Sequence, residues 1–276
     1  RRRLYDLYSE GQTYREWHYK IFDTAKKNKV KCFSSIFDEK DIDFLEKFNV
    51  PAYKIASFES NHLPLIEKLI KLKKPILIST GLNTKKEIEE LIELFKKKNF
   101  KKFALLKCSS SYPADLKNLN LSTISDMRKN FKCEVGFSDH SLGIGAAITA
   151  ISYGATIIEK HFTDDVSREG PDHKFSMNPK SWKEMIERSR ELENSLGSEE
   201  KNIEKNENET VILQRRAIRT KEKLQKGLKL KKSDIISLRP CPSNGLLPFE
   251  LKKVVGKTLK KNIEKGDLIR WEDLKS

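Results

Sequence analysis

Over about the first 190 positions, short apolar runs alternate with longer stretches whose apolar residues recur every three or four positions. The short runs are Lys31–Ser35, Ala52–Ser57, Pro75–Thr80, Phe103–Cys108, Glu134–Ser138 and Thr156–His161. Most are apolar almost throughout, the pattern of parallel strands covered by helices rather than of half-solvated antiparallel ones. Between them, Asp38–Phe48 carries Ile42, Phe44, Leu45 and Phe48 at helical spacing. Thr84 followed by Glu87 is a capping-box pattern, which predicts a helix over Lys85–Lys98. Further helices are predicted over Tyr14–Lys29, ahead of the first run, and Ser181–Leu196, after the last. Repeated strand–helix units predict an α/β fold with a parallel sheet.

A (β/α)8 TIM barrel has eight strands, and six are visible. If Tyr14–Lys29 is the second barrel helix, the first strand, first helix and second strand are missing. The start at Arg1, without methionine, fits an N-terminally incomplete chain. An open doubly wound sheet needs no missing part, but neither G-x-G-x-x-G nor G-x-x-x-x-G-K is present to give it a nucleotide site. We therefore expect an incomplete TIM barrel over residues 1–196. Residues 197–210 turn polar and read as a linker. Residues 211–276 differ in texture, with short runs punctuated by Gly227, Gly245, Gly256 and Gly266, and read as a small β-rich domain.

Composition narrows the function classes. The 276 residues suffice for one large domain and one small one. No apolar run approaches the roughly 20 residues of a membrane-spanning helix. Arg1, Arg2 and Arg3 have no apolar run behind them, so no secretory signal is expected. Cys32, Cys108, Cys133 and Cys241 form no C-x-x-C pair and read as reduced core thiols of a cytoplasmic protein. The net charge of +15 admits nucleic-acid binding, but the lysines are interleaved with glutamates along helices, as in 85–90. A solvated surface whose field attracts an anionic small substrate is the expectation, with no nucleic-acid and no membrane partner.

Polar residues gather at the carboxyl ends of all six runs: Ser34 and Ser35, Lys54 and Ser57, Ser79 and Thr80, Lys107 with Ser109 to Ser111, Ser138 to His140, and Glu159 to His161. In a barrel these ends line one mouth, where active sites form. His140 and His161 come from neighbouring strand ends, and two imidazoles leave several positions of a divalent metal open for water and substrate. Glu159 is placed to orient a ligand or a water. Lys54 with Ser35, Ser57, Ser79 and Ser138 suits a phosphate or carboxylate, although serines at strand ends also cap loops. Asp172, in the turn Gly170-Pro171-Asp172, is free to bind hydroxyls. His18, His62 and His173 read as surface or satisfied histidines, and Trp17 and Trp182 as core.

Taken together, several strings resemble the family of N-acetylneuraminic, legionaminic and pseudaminic acid synthases. They are 32–38 (CFSSIFD), 53–59 (YKIASFE), Ser79-Thr80-Gly81, 105–113 (LLKCSSSYP), 136–140 (GFSDH), Glu159-Lys160-His161-Phe162 and Gly170-Pro171-Asp172. The tail resembles that family's antifreeze-like (SAF) domain, marked by Leu238-Arg239-Pro240 and Asn244-Gly245. The resemblance implies condensation of phosphoenolpyruvate with an open-chain N-acetylated amino-hexose, with loss of phosphate by C–O cleavage. It implies Mn2+, with Mg2+ or Co2+ as alternatives, held by His140 and His161 and polarising the sugar aldehyde; Glu159, read from its place beside them, joins His140 and His161 as a catalytic candidate. By motif, Ser35, Lys54, Ser57, Ser79 and Ser138 would hold phosphoenolpyruvate, and Glu59, Ser110, Tyr112 and Asp172 the sugar. Arg239 would reach the sugar site of a second subunit in a domain-swapped homodimer.

The resemblance fails at the front. An Asn-His-Asn-Gly type turn with its carboxylate and a Lys-Phe-Gln string do not occur, so a catalytic glutamate and a phosphate lysine are expected to be missing. Phe58-Glu59 and Leu105-Leu106-Lys107-Cys108 look like the pseudaminic branch. Gly170-Pro171-Asp172-His173-Lys174 looks like the neuraminate and legionaminate branches. Three other readings stand beside the synthase: another metal-assisted aldolase or isomerase, an inactive fragment serving in carbohydrate binding or assembly, and a nucleic-acid binder.

Overall fold

The computed structural model describes residues 3–275. Arg1, Arg2 and Ser276 lie outside, so the basic start is described only from Arg3 onward. The chain forms two compact units, Arg1–Gly197 and Ser198–Ser276.

The first unit begins with helices α1 (Leu4–Gly11), α2 (Arg15–Lys27) and α3 (Glu39–Glu46). Five strands follow: β1 (Tyr53–Ile55), β2 (Ile76–Ser79), β3 (Phe103–Cys108), β4 (Glu134–Asp139) and β5 (Ile158–Lys160). Helices α4 (Leu63–Lys71), α5 (Lys85–Lys97), α6 (Thr123–Phe131) and α7 (Gly145–Ser152) join each strand to the next, and α8 (Pro179–Leu196) closes the unit. The strands form one parallel sheet in the order β1-β2-β3-β4-β5. The order never reverses, so there is no switch point of the doubly wound kind. Sequential β/α winding of this sort builds a curled barrel wall.

Lys31–Ser35 does not become the sixth strand that the pattern predicts. It makes a single parallel bridge, Ser35 to Lys54, through Lys54 N–H to Ser34 O (3.2 Å) and Ile36 N–H to Lys54 O (3.1 Å). Among the described residues it pairs on one side only, and Val30 and Lys31 are exposed, so little apolar burial extends the pairing.

Register sorts the side chains of the sheet into two faces. Lys54 lies opposite Leu77, Ser79 opposite Leu106, Cys108 opposite Ser138, and Ser138 opposite Glu159. Alternation therefore puts Lys54, Ser79, Cys108, Ser138 and Glu159 on one face. Tyr53, Ile55, Ile76, Ile78, Leu105, Val135 and Phe137 lie on the other, where they pack with Leu65, Leu69, Leu91, Phe95 and Ile124 of the helices. The outer face is the apolar core, and the inner face is polar at its carboxyl end. α5 starts as predicted: Thr84 Oγ1 accepts from Glu87 N–H (3.3 Å) and Glu87 Oε2 accepts from Thr84 N–H (2.7 Å). Trp17 is not core. It is 53% exposed and meets only Tyr14 edge-on at 5.0 Å among ring contacts. Trp182 is half-buried against Phe162. All four cysteines are free.

In the second unit the polar stretch is partly helical, ending in α9 (Asn208–Gln214). It is followed by an antiparallel pair, β6 (Ala217–Thr220) with β7 (Ile235–Leu238), and by α10 (Leu251–Val254). Isolated antiparallel bridges such as Leu224–Ile263 and Leu259–Leu274 complete it, around a core of Ile218, Leu230, Val254, Leu259 and Ile269. Among the described residues no helix is long and apolar enough to cross a membrane.

Candidate active site

The inner face of the sheet ends in a connected polar cup. Lys54, buried in β1, donates from Nζ to Ser79 Oγ at the end of β2 (2.8 Å). Ser79 Oγ donates to Glu159 Oε2 on β5 (3.4 Å), and Lys54 Nζ lies 3.5 Å from Glu159 Oε1. Residues separated by 105 positions in the chain, Lys54 and Glu159, thus share one charge cluster. Ser57 opens the turn Ser57–Glu59 after β1, and its Oγ accepts from Gly81 N–H (3.0 Å). Gly81 is tightly enclosed: a Cβ there would lie 2.3 Å from Ser110 Oγ and 2.8 Å from Ser57 Oγ. Ser138 is buried between Cys108 and Glu159 in register. Ser35 sits at the edge of the cup, bridged to Lys54.

The two histidines face each other at the rim, ring centroids 5.2 Å apart. His140 Nδ1 is 3.2 Å from Ser109 O and 3.8 Å from Cys108 Sγ. His161 Nδ1 is 3.4 Å from Asp172 Oδ2. With an acceptor at each Nδ1, each Nε2 is left to act as a donor atom, the arrangement that prepares imidazole for a metal. Among the described residues no three His, Cys, Asp or Glu side chains gather into a metal cage. Any ion here would take at most these two imidazoles as side-chain nitrogen ligands, its other positions open to water or substrate.

Electrostatics follow from burial and neighbours. Burial pushes the Cys108 thiol up, but hydrogen bonds with His140, Ser57 and Ser110 and the charge of His140 outweigh it and bring it to about 7. Burial pushes His140 down, yet its contact with Cys108, the Ser109 carbonyl and the charge of Glu159 leave it raised. His161 is lowered, first by burial, against the opposing pull of Asp172. Burial pushes the Tyr112 phenol up to about 12, helped by the charges of Cys108 and Asp172. The Tyr112 ring lies tilted against His140 at 4.3 Å and edge-on to His161 at 5.9 Å. Burial also raises the Glu59 carboxyl, whose Oε2 is buried without a hydrogen-bond partner.

The structure thus brings Lys54, Ser57, Ser79, Ser138, Glu159, His140, His161, Tyr112, Ser110 and Asp172 to the carboxyl ends of the strands. Arg239 lies in the second unit, where its Nε donates to Gln214 O (2.5 Å). Three participants escape a reading of the sequence. Cys108 reads as a core thiol until register turns it inward. Gly81 follows Ser79-Thr80 but shows its tightness only in space. Phe175 is buried with its ring 5.0 Å from His161, delivered by the loop after β5, and its position in the chain gives no signal.

A polar cup at the carboxyl ends of sequentially wound parallel strands is the layout of a β/α barrel enzyme. Residues 1–201 match the NeuB family and residues 215–275 match the SAF domain. The chain belongs to the NeuB family. It is 38% identical over 275 residues to a pseudaminic acid synthase of Campylobacter jejuni, an alignment covering 100% of this chain and 79% of that one. It is 35% identical to the N,N'-diacetyllegionaminic acid synthase of Legionella pneumophila, covering 99% and 77%. Among solved structures, the N-acetylneuraminic acid synthetase of Leptospira borgpetersenii is 29% identical with a TM-score of 0.70, over 75% of this chain and 72% of that one.

Proposed function

We propose that the chain is a nonulosonic acid synthase of the pseudaminic type. It joins C3 of phosphoenolpyruvate to the aldehyde carbon of an N-acetylated amino-hexose; water adds at C2, and phosphate departs by C–O cleavage. The observation that carries this reading is the Lys54–Ser79–Glu159 cluster beside the His140–His161 pair. Lys54, with Ser57, Ser79, Ser138 and Ser35 around it, offers a buried cation and short donors for a phosphate or carboxylate. Glu159, ion-paired to Lys54, is positioned to hold a water or a proton at the reacting end. The orphaned Oε2 of Glu59, the Tyr112 hydroxyl, Ser110 and Asp172 supply hydrogen-bonding partners for a sugar. A divalent ion on His140 and His161, Mn2+ first and Mg2+ or Co2+ after it, would act as a Lewis acid on the sugar carbonyl. Arg239 serves the sugar site of a second copy of the chain, and the reaction runs in the cytoplasm, where phosphoenolpyruvate is made.

The branch is argued from Phe58-Glu59 and Leu105–Cys108. The turn Gly170-Pro171-Asp172-His173-Lys174 favours a second reading, a legionaminate or neuraminate synthase. The test uses the gene product with any residues encoded ahead of Arg1. Mn2+-dependent phosphate release from phosphoenolpyruvate is measured with the N-acetylated amino-sugar precursors of the pseudaminate, legionaminate and neuraminate branches. Release is expected with the first. Release confined to another sugar moves the chain to that branch, and no release with any of the three overturns the synthase reading.

A further inference from the structure

One buried ion pair of the first unit has no part in the chemistry above. Lys160 Nζ donates to Asp139 Oδ2 (2.7 Å), and both side chains are essentially inaccessible, 1% and 0% exposed. The two residues are direct partners in the β4–β5 register. Each immediately precedes a facing histidine, Asp139 before His140 and Lys160 before His161. Alternation turns the pair to the outer face of the sheet and the histidines to the inner one.

The pair also fixes the chain just beyond His140. Asp139 Oδ1 accepts from Ser141 N–H (2.8 Å) and Ser141 Oγ (2.6 Å). Lys160 Nζ donates a second bond to Ser141 O (2.6 Å). Residues 139 to 141 are therefore closed into a turn around His140, and that turn is tied to the residue preceding His161. β5 spans only three residues, so its ladder alone holds the end of the strand weakly. Burying two charges is a poor route to stability, and apolar residues of similar volume commonly do as well or better. What the ion pair does supply is one fixed geometry between two strand ends.

We propose that Asp139 and Lys160 are positioning residues, locking the two strand ends so that His140 and His161 meet at the spacing a single divalent ion requires. The proposal rests on the reading of those histidines as metal ligands. Neither side chain touches the ion or the substrates, and the pair acts only through the imidazoles.

The test is Mn2+ binding by the gene product with any residues encoded ahead of Arg1, followed by the electron paramagnetic resonance of free Mn2+, alongside thermal melting without metal. Asp139→Asn and Lys160→Met each leave a buried charge unpaired, and both melting temperature and affinity should fall, the affinity roughly 10- to 100-fold. The double variant Asp139→Leu/Lys160→Met carries no buried charge. It should recover part of the melting temperature relative to the single variants, short of wild type because buried Ser141 N–H and Oγ lose their acceptor, while Mn2+ affinity stays at least about tenfold weak, as expected for a lost orienting partner. That split between stability and affinity supports positioning. Recovery of both in the double variant overturns it. So does failure of the double variant to fold, which assigns the pair to the fold alone. Wild-type binding that survives His140→Ala, or no wild-type binding at all, instead overturns the metal reading and takes this proposal with it.

Discussion

Gly81 shows how narrowly the cup is drawn at the scale of one residue. Its missing Cβ is the space into which Ser57, Cys108 and Ser110 converge, the would-be contact with Cys108 Sγ being 3.2 Å. Its N–H also holds Ser57 Oγ in place. Gly81→Ala must therefore push two short hydroxyl side chains aside. We expect kcat/KM for phosphoenolpyruvate to fall about 10- to 100-fold, since displacements near 1 Å misalign reacting groups. Overpacking should lower stability by about 1–3 kcal/mol. Steady-state kinetics with melting curves check both, and unaltered kinetics in a folded variant would remove Ser57 and Ser110 from the site. None of this tightness is legible in the string Ser79-Thr80-Gly81, because it depends on β3 lying beside β2.

Elements were more legible than their edges. The helices at α3, α5 and α8 and five of the six strand runs follow directly from apolar periodicity and caps. Lys31–Ser35 fails as a strand because an apolar run states only a preference, and the bonds come from neighbours. The amino ends of the strands show how neighbouring elements are tied. Glu46, last in α3, accepts from Tyr53 Oη at the start of β1 and from Lys74 Nζ just ahead of β2 (2.6 Å). Burial pushes this carboxyl up, but the bonds from Lys74 and Tyr53 and the charge of Lys74 hold it below its ordinary value. A carboxyl lowered on folding stabilises fully above its unfolded value of about 4.3, and that stability is lost as pH falls through the folded value. Glu46→Gln should therefore destabilise by about 1 kcal/mol or less at pH 7, given its partial exposure. The difference from wild type should shrink as melting is repeated below about pH 4. Phosphate release should be unchanged, because this end of a barrel serves stability. A difference that holds constant with pH would mean that packing, not charge, is what Glu46 contributes.

At the scale of the whole molecule the net charge of +15 bears on how an anion reaches the cup. Inside it, the ammonium of Lys54 already faces the carboxylate of Glu159, so the local balance is close to neutral at that point. A trianionic substrate is then drawn in by two separable sources: short-range donors within the cup and the summed field of the lysine-rich surface. Salt tells them apart. The screening length drops from about 30 Å at 0.01 M to about 8 Å at 0.15 M, which silences distant surface charges while leaving contacts inside the cup largely intact. If the surface field steers, kcat/KM for phosphoenolpyruvate should fall several-fold over that range while kcat and the KM for the uncharged sugar hold steady. The same titration on Lys54→Met separates the sources further. That variant should lose affinity for phosphoenolpyruvate at every salt concentration yet keep the same salt slope, because the slope belongs to the surface. A flat response in the wild type would assign capture to Lys54 and its serines alone, and would leave the charge of this chain a matter of solubility rather than of catalysis.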